Sequence, residues 1–149
     1  MTLIVVALST GALLAGCGAT IKQTEEINPR VEAASAAFGP GFGYMIVSSG
    51  NALEDILFVG LFKPGQPSDM SRQLYKRLVE AESKGQPFMV SGENSRKTSH
   101  VIIEALSIAP ENSLPNLELL YLGDEQYVQG IEESVRRVGG TLKSAPYPG

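Results

Sequence analysis

The stretch that decides the fold is residues 87–140, which read PFMVSGENSRKTSHVIIEALSIAPENSLPNLELLYLGDEQYVQGIEESVRRVGG. Within it, two short apolar runs at 87–90 and 117–122 are each followed by a turn and then by apolar residues at helical spacing. Helices are predicted over 95–109 and 125–138, and each is followed by proline or glycine. This alternation of strand and helix predicts parallel strands joined by right-handed crossovers.

The residues on either side extend the same pattern. Apolar runs at 44–47 and 56–62 predict two further strands, a helix is predicted over 69–84, and residues 141–144 predict an edge strand. Residues 52–55 fit a loop or one helical turn, so the pairing of the first two strands stays open. Short, nearly unbroken apolar strands are typical of a parallel sheet covered on both faces. We therefore predict a three-layer α/β domain, with a mostly parallel sheet of four or five strands and helices on both faces.

Length, composition and charge limit the class of protein. The chain has 149 residues, of which 43% are hydrophobic, and this is enough for one core and one domain. The formal net charge of -4 argues against a nucleic-acid partner, because binding to phosphates depends on clustered Lys and Arg. One cysteine and one histidine argue against an internal disulfide or a zinc site. We expect no metal and no cofactor.

The amino-terminal segment has the properties of an export signal. Residues 1–16, MTLIVVALSTGALLAG, carry no charged side chain. A helix of this length would rise about 24 Å, which is less than the roughly 30 Å of a bilayer's hydrocarbon core. The segment ends in Ala15 and Gly16, directly before Cys17, the only cysteine of the chain. Small residues after a short apolar run are typical of a signal peptide and its cleavage site.

Leu14-Ala15-Gly16-Cys17 resembles the lipobox of bacterial lipoproteins. The resemblance implies lipid on the Cys17 sulfur, cleavage before Cys17 and acylation of the new amino terminus, so that palmitate-type chains anchor the protein to a membrane. In that family an Asp after the cysteine favours the inner membrane, and Gly18 at this position implies the outer membrane, facing the periplasm. The resemblance covers 17 residues, and the segment lacks the Lys or Arg that usually opens such signals.

The segment after Cys17 has the composition of a linker. Residues 18–42 are polar, then alanine-rich, and they end at the breaker Gly39-Pro40-Gly41. A short helix over 31–37 is compatible with the alanines but has little apolar periodicity. We therefore predict a tether that would reach about 25 Å from the membrane. The expected organisation is a signal peptide at 1–16, a lipidated tether at 17–42 and the α/β domain at 43–149.

Three predicted strand ends carry glycine together with small polar or acidic residues, namely 48–51, 91–94 and 123–124. The carboxyl ends of parallel strands lie at one edge of the sheet. Ligands of open α/β sheets bind at that edge, near the point where the strand order reverses. We therefore expect these turns to converge on a ligand pocket.

The helix that begins at Ser95 has an unusual charge distribution. Arg96 and Lys97 lie at its positive end, whereas the other two helices begin with acidic residues. A bound anion would offset this arrangement, and otherwise both side chains extend into water, where they could pair with Glu93. The residues predicted to bind a ligand are Ser91, Gly92, Asn94, Ser95, Arg96, Lys97 and Asp124.

Catalytic motifs are missing from the sequence. The glycines of a phosphate-binding loop are absent around Lys97, and Met89 and Glu93 occupy the glycine positions of a nucleophile elbow at Ser91. His100 lies inside a predicted helix, away from Ser91. We therefore assign no catalytic residue and expect a membrane-anchored, non-enzymatic binding or accessory module for a protein or glycan partner of the cell envelope. The alternative is a domain that binds a small anionic ligand, or a weak hydrolase, with its site at the carboxyl ends of the strands.

Overall fold

The computed structural model describes residues 21–50 and 66–148, with side chains described from residue 29 onward. The helices are α1 (Ile21–Phe38), α2 (Asp69–Ser83), α3 (Ser95–Ile108) and α4 (Val128–Arg137), and the strands are β1 (Gly43–Val47), β2 (Phe88–Gly92), β3 (Glu118–Leu122) and β4 (Thr141–Ala145). A 3-10 turn, Glu125–Tyr127, leads into α4. No described helix has the length and hydropathy to cross a membrane. Cys17, the predicted signal peptide and the predicted strand at 56–62 lie outside the described residues.

The four strands form one parallel sheet in the order β1-β2-β3-β4. The register places Met45 opposite Val90, Val90 opposite Tyr121, and Tyr121 opposite Ser144. The predicted three-layer α/β fold is confirmed, including the edge strand β4, which was expected to be the last element.

Helices α2, α3 and α4 cover one face of the sheet. The hydroxyl of Ser68 caps α2 by accepting a hydrogen bond from the backbone N–H of Ser71 at 3.2 Å. Leu74 and Leu78 follow at helical spacing, and both are fully buried in a core that includes Val90 of β2. Apolar residues spaced by one helical turn therefore produced this layer, as the sequence pattern predicts.

Helix α1 covers the opposite face. Side chains alternate between the faces of a strand, so Met89, Leu120 and Leu122 point away from the larger core. These three residues form a second cluster with Ala34 of α1, and none of the four is more than 1% exposed. The sheet is thus buried on both sides.

The position of α1 differs from the predicted tether at 17–42. Residues 29–38 belong to the packed domain, which therefore begins before residue 43. The contact surface of α1 is built from alanines, because Ala33 and Ala37 pack beside Ala34. Alanine is only weakly apolar, so this helix gives little periodic signal in the sequence, although its small side chains allow close packing on the sheet.

Candidate functional site

The carboxyl edge of the sheet, where the four strands end, brings the predicted turns together. The ammonium of Lys97 donates a hydrogen bond to the backbone carbonyl of Ser48 at 2.8 Å, which links the end of β1 to α3. The backbone N–H of Asp124 donates to the hydroxyl of Ser95 at 3.0 Å, which links the end of β3 to the same helix. The polar groups at this edge thus bond to one another across three strand ends.

The expected reversal of strand order is not found in this sheet. The described strands follow one another in chain order, so each neighbour in space is also the next strand in sequence. The crevice that opens in doubly wound sheets lies where two crossovers leave on opposite faces. Among the described strands the order never reverses. The topology therefore gives no reason to expect a pocket between the turns.

Ser91 and Gly92 are the last two residues of β2, and both are buried. Ser91 is fully buried, and its hydroxyl donates a hydrogen bond to the backbone carbonyl of Leu122 at 3.4 Å. A Cβ atom on Gly92 would lie 2.5 Å from the hydroxyl of Thr98 and 2.7 Å from the carbonyl oxygen of Val47. Gly92 is needed for the close approach of α3 to β1, and the ligand-binding role of both residues stays a prediction.

The amino terminus of α3 is capped by its own residues. The side-chain oxygen of Asn94 accepts a hydrogen bond from the backbone N–H of Lys97 at 3.0 Å. Arg96 is exposed, as expected for a solvated cation. Lys97 is only 7% exposed, so the prediction that both cations extend into water is wrong for Lys97. A carbonyl at the end of β1 offsets the charge that Lys97 places at the positive end of the helix.

Helix α3 also holds a titratable pair that sequence reasoning did not select. Glu104 is buried, and its carboxylate accepts a hydrogen bond from the backbone N–H of Ser68 at the start of α2. Burial lowers the pKa of His100 below its usual value of 6.5, the charge of Arg96 lowers it further, and the charge of Glu104 opposes both effects.

Burial raises the pKa of the Tyr121 hydroxyl, and a hydrogen bond with Ser95 opposes this rise. Tyr121 is fully buried in β3, and its hydroxyl donates to the backbone carbonyl of Asp124 at 3.4 Å. The buried side chain thus fixes the turn that follows β3. This neutral hydroxyl has a structural role at the carboxyl edge.

An open cavity of about 610 Å³ lies at the ends of β3 and β4. Its lining residues are Gly123, Asp124, Glu125, Val128, Ser144, Ala145, Pro146 and Tyr147. Of the residues predicted to bind a ligand, only Asp124 lines this cavity. Within the described part of the chain, no group of three or more His, Cys, Asp or Glu side chains is arranged to hold a metal ion.

A buried arginine lies next to this cavity and was not predicted. Arg30 of α1 is 2% exposed, its Nη2 donates a hydrogen bond to the hydroxyl of Tyr147, and its guanidinium carbon lies 4.8 Å from the centre of the Tyr147 ring. The Nε of Arg30 is buried without a hydrogen-bond partner among the described residues. In the sequence, Arg30 is one charged residue in a polar, alanine-rich stretch, and nothing there marks it as buried.

Compared with known proteins, the chain matches no protein family, no curated protein and no solved structure.

Proposed function

We propose that the protein is a lipid-anchored module of the bacterial cell envelope that acts by binding a partner and not by catalysis. The lipid anchor is proposed from the resemblance of Leu14-Ala15-Gly16-Cys17 to a lipobox. Stable anchoring by this route requires more than one acyl chain, which a lipidated and amino-acylated cysteine supplies. By the same resemblance to bacterial lipoproteins, Gly18 after the cysteine favours the outer membrane over the inner membrane.

The observation that carries the binding role is the mutual bonding of polar groups at the carboxyl edge. A nucleophilic serine requires an exposed hydroxyl with a base in reach, whereas Ser91 is buried and bonded to a backbone carbonyl. Lys97 is bonded to Ser48, and Ser95 is bonded to Asp124. Groups with these partners stabilise the fold. Because they are already bonded, they are poor candidates for catalytic groups, and this supports a module that acts by binding a partner.

The short sequence separation between Cys17 and α1 supports a domain that is held close to its membrane. Only residues 18–20 separate Cys17 from the start of α1 at Ile21. From Ile21 to the buried Arg30, a continuous helix rises about 14 Å. A lipid on Cys17 would therefore present the domain on a short helical stem, in place of the flexible tether that the composition predicts.

Labelled palmitate tests the proposed anchor in cells. The full-length protein is expected to incorporate the label and to fractionate with the outer membrane, and Cys17→Ser is expected to lose both properties. Gly18→Asp is the matched variant, because it keeps the cysteine and is expected to retain the label while moving to the inner membrane. Equal labelling of the protein with and without Cys17 contradicts the proposal.

Hydrolysis assays test the absence of catalysis. We expect no turnover of chromogenic esters, phosphates or glycosides above the level of a protein-free control. If turnover is found, Ser91→Ala and His100→Ala identify its source, and loss of turnover in either variant would favour a hydrolase over a binding module.

A further inference from the structure

Three charged side chains are buried among the residues whose side chains the structure describes, and they differ in their partners. Lys97 donates to the carbonyl oxygen of Ser48, and Glu104 accepts from the backbone N–H of Ser68. Among the residues whose side chains are described, Arg30 contacts only the neutral hydroxyl and ring of Tyr147, and its Nε has no partner there. Arg30 is therefore the least compensated charge in this part of the molecule.

The chemistry of arginine makes this arrangement costly for the fold. A guanidinium keeps its charge at any pH at which proteins are folded, so Arg30 cannot become neutral in response to burial. A buried ion without a charged partner destabilises a protein, and its replacement by an apolar residue of similar size is often neutral or stabilising. A carboxylate from outside the chain would satisfy the Nε of Arg30 by a charge-assisted hydrogen bond.

The cavity beside Tyr147 offers a route for such a carboxylate. Tyr147 both contacts Arg30 and lines the cavity, so a shift of this side chain would join the two. The lining of the cavity also includes Asp124 and Glu125, and Val128 and Pro146 supply apolar surface. The cavity volume lies within the range of pockets that bind small molecules.

The charges of Arg30 and of the two acidic residues restrict the ligand. Asp124 and Glu125 would repel a simple anion such as phosphate, and a simple amine would leave Arg30 without a counter-charge. A molecule that carries a carboxylate and an ammonium group has a partner for each of these charges. We infer that the cavity binds a small zwitterion of amino-acid or dipeptide size, whose carboxylate pairs with Arg30 and whose ammonium group lies towards Asp124 and Glu125. This inference rests on the proposed binding role and names its ligand class.

Titration calorimetry on the full-length protein in detergent tests the inference, with free amino acids and dipeptides as probes. At least one zwitterion is expected to bind, and its N-acetylated and carboxyl-amidated forms are expected to bind about tenfold more weakly or worse, because each lacks one charge. The absence of heat with every zwitterion at 10 mM, about the weakest affinity of interest, would overturn the inference. Equal affinity for the acetylated or amidated forms would also overturn it.

Variants locate the bound carboxylate. Arg30→Met is expected to melt no lower than the unliganded wild type and to lose about tenfold or more in affinity. Arg72→Met is the control. Arg72 is exposed on α2, so this variant should bind the zwitterion with the affinity of the wild type. Tyr147→Phe removes the hydroxyl that competes for Arg30, so it should bind several-fold more tightly, and it tests the contact even if Arg30→Met does not fold. Unchanged affinity in Tyr147→Phe and in a folded Arg30→Met would contradict the site.

The two proposals fail separately. If Cys17 is labelled with palmitate and no zwitterion binds, the cavity inference is wrong and the anchored module stands. If a zwitterion binds and Cys17 carries no lipid, the anchor is wrong and the ligand site stands.

Discussion

Replacing Ala34 with glutamate tests whether α1 is an integral layer of the domain. Ala34 is fully buried against Met89, Leu120 and Leu122. A glutamate there would place extra atoms in a packed interface and a carboxylate in an apolar one. Overpacking alone typically costs about 1–3 kcal/mol, and the buried charge adds to it, so we expect a loss of roughly 3–5 kcal/mol in the free energy of unfolding. This is a large share of the 5–15 kcal/mol that is typical of a whole domain.

Ala36→Glu supplies the matched control for this experiment. Ala36 lies two residues further along the same helix and is exposed, so the same change in composition and charge occurs without burial. Glutamate is a good helix former, and we expect the control to stay within about 0.5 kcal/mol of wild type.

Thermal unfolding followed by circular dichroism measures the difference between the two variants. For a domain of this size, the expected loss corresponds to a fall in melting temperature of roughly 10–20 °C for Ala34→Glu. A melting temperature within 2 °C of that of Ala36→Glu, which is about the scatter expected for a surface change, would refute the packed position of α1. In that case a tether over residues 17–42 would be the better description.

Two further predictions concern the carboxyl edge and α3. Gly92→Ala is expected to destabilise the domain by about 1–3 kcal/mol in a denaturation assay, because the added Cβ would meet the carbonyl oxygen of Val47 at 2.7 Å. Gly130→Ala is its control, since the Cβ there meets nothing closer than 3.5 Å and a helical alanine should stabilise by up to about 1 kcal/mol; equal effects would contradict the crowding. The folded-state pKa of His100 lies below the unfolded value, so the unfolded chain binds the proton first as the pH falls. Stability should therefore decline from about pH 6.5 downwards, through the folded-state pKa. His100→Gln should flatten this decline in melting curves, and an unchanged slope would show that other groups cause it.

The helices and strands with broad apolar faces were predictable because their apolar residues are large and regularly spaced. Leu74 and Leu78 on α2, and the apolar run at 119–122, carry the signals from which helix and strand follow. For α1, the sequence indicated at most a short helix over 31–37 within a tether. Its full length and its packing on the sheet were missed because alanines supply the packing surface and give little periodicity.

The site was less predictable, because its details depend on side-chain reach and not on residue type. The sequence places Lys97 at the start of a helix, but it does not show that the ammonium group donates a hydrogen bond to the carbonyl of Ser48. The contact between Arg30 and Tyr147 joins residues 117 positions apart, and no local pattern encodes it. The convergence of the strand ends, by contrast, followed from the parallel topology, and Asp124 and Ser95 do meet there.

The mass of the protein purified from its membrane is a direct test of the proposed lipid anchor on Cys17. Intact mass spectrometry, followed by fragmentation of the amino-terminal peptide, reports both the first residue and its modifications. We expect a chain that begins at Cys17, with a diacylglyceryl group on the sulfur and an acyl chain on the amino group. A chain that retains residues 1–16 and an unmodified Cys17 thiol would contradict it.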